Sequence, residues 1–184
     1  AVKYLSPNLR LRIGTMDSLE SGGTVILSSP TPELDVAVDH DNVTMVTIIG
    51  RELGEAAKLE GVVEALKASQ ARLIAASIEE SSLILYLDGD GEVIERLHDY
   101  LVASRMGKAI SHFPSLSLLR VYGSMLETTP GVIHKIIQPL AAQAINIYGI
   151  LTISSSIRIF VSSREAEKAL KLIKDTLSTV LGEV

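Results

Sequence analysis

Apolar residues at positions 59, 62, 63 and 66 fall at the spacing of one buried helix face, while Lys58, Glu60, Glu64 and Lys67 are placed to meet water. The same spacing returns at Val132, Ile133, Ile136, Ile137 and Leu140, which predicts a second amphipathic helix. Each helix precedes two short apolar runs. Leu73 to Ile78 and Leu83 to Leu87 flank Glu79-Glu80-Ser81-Ser82; Ile145 to Ile153 and Ile157 to Val161 flank Ser154-Ser155-Ser156. Runs of that length around turn formers read as antiparallel strand pairs. Further helices are expected after Asp88-Gly89-Asp90-Gly91, on Val93, Leu97 and Leu101, and after Ser162-Ser163, on Ala166, Ala169, Leu170, Ile173 and Leu177. Upstream, Leu34, Val36 and Val38 lead through Asp39-His40-Asp41-Asn42 to Val43, Met45, Thr47, Ile48 and Ile49, a pattern that reads as a hairpin with a tight connection.

The elements recur in order, so the chain is read as two copies of one unit. An offset of 73 positions places Gly50 on Gly123, Gln70-Ala71 on Gln143-Ala144, Ile74 on Ile147 and Ser81-Ser82 on Ser154-Ser155, with no gap. Each unit is βαββα with room for a final strand, an α+β ferredoxin-like βαββαβ sandwich whose two helices cover one sheet face. Lys108 to His112 can supply that strand in the first unit. The chain stops at Val184, so the strand of the second is absent or comes from elsewhere. The boundaries expected are a lead-in and linker over 1–33, a first domain over 34–114 and a second over 115–184. Ser28-Ser29-Pro30-Thr31-Pro32 marks the linker.

Composition narrows the function classes. In 184 residues, 47% hydrophobic content supports a packed core and excludes a disordered chain. A net charge of −5 without a basic stripe, and 4% aromatic residues, argue against nucleic acid as a partner. The absence of cysteine removes disulfides and thiolate chemistry. No apolar run approaches the roughly 18 residues of a membrane helix, so a cytoplasmic protein without a membrane partner is expected. Histidines 40, 98, 112 and 134 are scattered without metal-ligand spacing, and Asp88 to Gly91 lacks a calcium loop's downstream glutamate, so no metal is expected. Gly22-Gly23-Thr24 lacks the spacing of a phosphate-binding loop.

Two features carry candidate chemistry. Glu127-Thr128-Thr129-Pro130-Gly131-Val132 has the form of a helix start, whose unpaired N–H groups suit a carboxylate or, equally, are simply capped. Asn146 interrupts the apolar run Ile145-Asn146-Ile147, and its amide is either buried with a partner or turned to solvent.

Gly123 to Gly131, Ala144-Ile145-Asn146-Ile147 and Ser154-Ser155-Ser156-Ile157-Arg158-Ile159 together resemble the ACT domain pattern of aspartate kinases. The stretch Ser18 to Ile26 resembles the end of the catalytic lobe of that family. The resemblance implies two tandem ACT domains preceded by a short remnant of the kinase lobe. It implies a regulatory region that binds lysine or threonine at ACT interfaces and feedback-controls aspartate phosphorylation in lysine, threonine and methionine biosynthesis. The implied partners are a second copy in a dimer and the catalytic lobe. Effector candidates carried over are Met125, Thr128, Thr129, Pro130, Gly131, Val132, Asn146, Ile147, Ser154 and Ser155. The 73-residue offset puts Ala57-Lys58 where Pro130-Gly131 stand and Leu73 where Asn146 stands, a departure in the first repeat. The catalytic motifs are missing, so the chain is expected to be inactive alone and to carry no cofactor, ATP and magnesium belonging to the catalytic lobe. The alternative is an ACT-type oligomerisation module without a working ligand site.

Overall fold

The computed structural model describes residues 10–15, 23–27, 34–88, 91–127 and 129–182. Its elements are β1 (Arg10–Ile13), β2 (Thr24–Leu27), β3 (Asp35–Gly50), α1 (Ala56–Ala68), β4 (Arg72–Ile78), β5 (Ser82–Asp88), α2 (Gly91–Ser104), β6 (Gly107–Tyr122), α3 (Val132–Ala142), β7 (Ile147–Ile153), β8 (Ser156–Ser162) and α4 (Ala166–Gly182). A single 3-10 turn, Ser124–Glu127, lies between β6 and α3. β1 and β2 pair with each other, and the other six strands form one antiparallel sheet in the order β4-β5-β3-β6-β8-β7. The linker at 28–32, together with Gly22, Gly89 and Asp90, lies outside the described residues.

The hairpin expected around Asp39 to Asn42 does not form. Residues 35–50 are one strand, and irregularities between Val38 and Met45 absorb the polar run as bulges rather than a reversal. Asn42 takes φ 57°, a conformation asparagine tolerates. β6 is likewise continuous from Gly107 to Tyr122, with Ser115 at φ 59° midway. The two long strands run side by side and are shared by both repeats. Met45 to Ile49 pair with Ala109 to Phe113 in the first sandwich, while Asp35 to Val38 pair with Leu119 to Tyr122 in the second. The closing strand of the second unit therefore comes from in front of the first.

Strand alternation sorts the side chains. Leu83, Leu85 and Leu87 on β5 face α1 and α2 and pack with Val46, Val62 and Leu97. Ile157, Ile159 and Val161 on β8 do the same toward α3 and α4 with Val36, Ile136 and Ile173. α1 and α2 approach closely at Gly61, where a β-carbon would collide with the Tyr100 ring. The opposite sheet faces meet each other through Val43, Tyr86, Leu116, Leu118 and Phe160. β5 and β8 stand three places apart in the sheet, about 14 Å if it were flat. The Tyr86 and Phe160 rings nevertheless stack with centroids 3.7 Å apart, so the sheet folds back on itself at the bulges.

The internal offset is also corrected. Gln70 and Ala144 hold the equivalent left-handed positions after α1 and α3, and Gly50 and Gly123 donate their N–H groups to the carbonyls of Ser81 and Ser155. The offset is 73 at the first strand and 74 beyond the helix, so one residue is inserted between them. Arg72, not Leu73, is the counterpart of Asn146.

Candidate functional site

The segment between the first strand and first helix differs most between the repeats. In the first it is 51–55, and in the second 124–131, so α3 starts later and leaves a gap beside the hairpin of β7 and β8. The gap is a hollow of about 450 Å³ lined by Leu126, Glu127, Thr129, Pro130, Gly131, Val132, Ile133, Thr152, Ser154 and Ile157. That volume suits a small organic ligand.

Gly131 sets the geometry. It stands at the N-terminal cap of α3 with φ 80°, a conformation that favours glycine, and as a glycine it offers no side-chain cap of its own. Its carbonyl accepts the N–H of Lys135 at 3.1 Å. The first-turn N–H groups stand at the positive end of the helix dipole, with no cap from the N-cap residue itself. On the far wall, Ser154 takes φ 45° in the two-residue turn Ser154-Ser155 that joins β7 to β8, and Thr152 stands opposite Ile157. Glu127 adds a carboxylate, and Leu126, Ile133 and Ile157 add apolar surface. The site offers one electropositive end, one acidic side chain, hydroxyls and an apolar wall.

Of the effector candidates, Thr129, Pro130, Gly131, Val132 and Ser154 line this hollow. Ser155 contributes its backbone carbonyl to the N–H of Gly123 at 3.0 Å. Met125 lies in the 3-10 turn, and Thr128 lies outside the described residues. Asn146 and Ile147 do not line the hollow. Asn146 is exposed and precedes β7, so its amide faces solvent and the buried-amide reading is withdrawn. Glu127, named in the sequence only as part of the helix start, and Thr152 also line the hollow without being among the effector candidates.

In the first repeat the corresponding loop is closed by the chain itself. The Lys58 ammonium donates to the Arg51 carbonyl at 3.0 Å and to the Glu52 carboxylate at 3.2 Å, and it lies 3.4 Å from Glu55. Desolvation lowers its pKa, but the hydrogen bonds and charges of Glu52 and Glu55 outweigh it and leave the group above its ordinary range. Among the described residues no cluster of His, Asp and Glu could hold a metal ion, and no helix is long and apolar enough to cross a membrane.

Residues 114–175 match the ACT domain family model. The chain superposes on the aspartate kinase of Clostridium acetobutylicum with a TM-score of 0.71 at 20% identity, over 92% of this chain and 42% of that one. The fold is that of an aspartate kinase regulatory region. A regulatory subunit of the Thermus thermophilus aspartate kinase, in a ligand-free form, superposes with a TM-score of 0.64 at 23% identity, over 77% of this chain and 95% of that subunit. Aspartokinase III of E. coli, in complex with lysine and aspartate, superposes with a TM-score of 0.60 at 19% identity, over 92% and 39% of the two chains. The present chain thus spans well under half of the whole kinases and most of an isolated regulatory subunit. No curated protein sequence matches it significantly.

Proposed function

We propose that this chain is the allosteric regulatory region of an aspartate kinase and that the hollow at the start of α3 binds an end-product amino acid, lysine or threonine. The observation that carries the reading is the glycine-led start of α3, which lines a hollow of about 450 Å³ together with Glu127. The α-carboxylate of a zwitterion lies on the first-turn N–H groups of α3. Its ammonium meets Glu127 and nearby carbonyls. A lysine or threonine side chain then runs along Thr152, Ser154 and Ile157. In a dimer of such chains, a ligand held tenfold better by one quaternary arrangement shifts the balance by about 1.4 kcal/mol, within the ordinary range of allosteric coupling. Such a shift, passed to a catalytic lobe, is feedback control of aspartate phosphorylation.

Calorimetric titration of the chain with lysine and with threonine tests the assignment. One of them is expected to give a saturable heat that Glu127→Gln reduces at least tenfold in affinity. Silence with both at millimolar concentration overturns it and leaves an oligomerisation module.

A further inference from the structure

Among the described residues, three side-chain polar atoms are buried without a hydrogen-bond partner: Arg120 Nε, Ser156 Oγ and Arg158 Nε. All three lie on one face of the second repeat's sheet. Arg120 on β6 and Arg158 on β8 are directly opposed, and Tyr122 and Ser156 are opposed in the next row. This face points away from α3 and α4, because Ile157 and Ile159 between these residues pack into the helix-covered core. Two guanidinium groups opposed across strands repel, and among the described residues no carboxylate lies within ion-pairing distance of either. The ring of Tyr122 lies under Arg120 at 5.3 Å and orients it without neutralising it.

The sister repeat shows that the fold does not require these charges. The counterparts of Arg120 and Arg158 are Thr47 and Ile84, which pair with each other in the same register. The counterpart of Ser156 is Ser82, whose hydroxyl donates to Glu79 at 3.2 Å. The first repeat carries this row uncharged and satisfied, whereas the second carries it doubly cationic and unsatisfied.

We infer that Arg120, Arg158 and Ser156 form a second ligand site, separate from the hollow at α3, for a small dianionic oxyanion. Two fixed positive charges and an orphaned hydroxyl match a group with two negative charges and several acceptor oxygens, either a phosphoryl group or a dicarboxylate. The site does not depend on the amino-acid assignment above.

Thermal shift and calorimetry on the full chain at constant ionic strength, with sodium phosphate, sodium succinate and sodium chloride, test the inference. Saturable stabilisation by phosphate or by succinate, absent with chloride, is expected, and the better of the two identifies the ligand class. Arg120→Thr and Arg158→Ile install the residues the first repeat already tolerates. Each is expected to weaken anion binding about tenfold or more while leaving the response to lysine or threonine unchanged. Equal stabilisation by chloride, or undiminished binding in both variants, overturns the site. So does a wild-type chain that ignores both anions but loses self-association when either arginine is replaced, since the face is then a contact between copies. Should a variant fail to fold, the comparison of phosphate and succinate with chloride on the wild-type chain decides the question.

Discussion

Tyr86 and Phe160 occupy the same position in the two repeats and stack on one another, ring centroids 3.7 Å apart and 9° from parallel. Each lies between the last two members of its repeat's buried triplet and points away from the helices, so the pair sits where the two sandwiches meet. The contact joins the repeats into one cooperative body. Phe160→Ala is expected to cost about 3–5 kcal/mol and to lower the midpoint of a single urea transition rather than split it in two.

The approximate symmetry breaks at the phenol. The Tyr86 hydroxyl donates to the Tyr148 carbonyl at 3.2 Å, and a β-carbon on Gly149 would run into that hydroxyl. The first repeat has Ala75 at the position of Gly149, in the cluster that contains Phe160, a ring without a hydroxyl. Gly149→Ala should therefore destabilise the wild type by about 1–3 kcal/mol. Its cost should shrink in a Tyr86→Phe background, and a double-mutant cycle of urea midpoints measures the coupling.

Burial pushes the Tyr86 phenol above its ordinary pKa of 10.0. A group whose folded pKa exceeds its unfolded one keeps its proton longer in the native state, so its stability contribution is complete below pH 10.0 and is lost as pH rises through the folded value. Unfolding free energy should fall with pH above about 10, and Tyr86→Phe should flatten that fall. Chemical denaturation between pH 8 and 11 checks both.

Much of this fold was readable because it rests on periodicity. The helix stripes at Leu59 to Leu66 and Val132 to Leu140 and the alternation on β5 and β8 survive any error of register by a residue or two. The hairpin expected at Asp39 to Asn42 failed for a physical reason: a polar run with a left-handed asparagine makes a bulge as readily as a turn, and long-range pairing with β6 chose between them. The helix start at Gly131 was legible from its glycine. Glu127 was not, since its place in the hollow depends on the longer loop rather than on any local pattern. Asn146 was not legible, because it stands one residue ahead of β7, exposed, where strand alternation does not place its side chain.

The shared strands make the second repeat depend on residues that precede the first. Val36 is buried in the α3 and α4 core beside Val121; with Leu34 it is far along the chain from that core's remaining members, which begin at Leu119. Val36→Asp places a charge there without a partner and should cost several kcal/mol. Hydrogen exchange should show protection lost first in β8, α3 and α4, with β4, β5 and the α1–α2 pair affected less. Equal loss in both halves would show that the interface of Tyr86 and Phe160 couples them more tightly than the two cores suggest.

Gly131 links stability to binding in the same direction. At φ 80° a β-carbon is strained even though nothing lies within 4 Å of it, so Gly131→Ala should cost about 1–2 kcal/mol from backbone conformation alone. Relief of that strain rotates the residue toward negative φ and swings the first N–H groups of α3 away from the hollow. Gly131→Asn provides the control, because asparagine tolerates left-handed backbone better than alanine does. If the amide array holds a carboxylate, amino-acid affinity should fall in the order glycine, asparagine, alanine, in parallel with stability. If Gly131 only ends the loop, the stability order should hold while calorimetry finds no matching order in affinity.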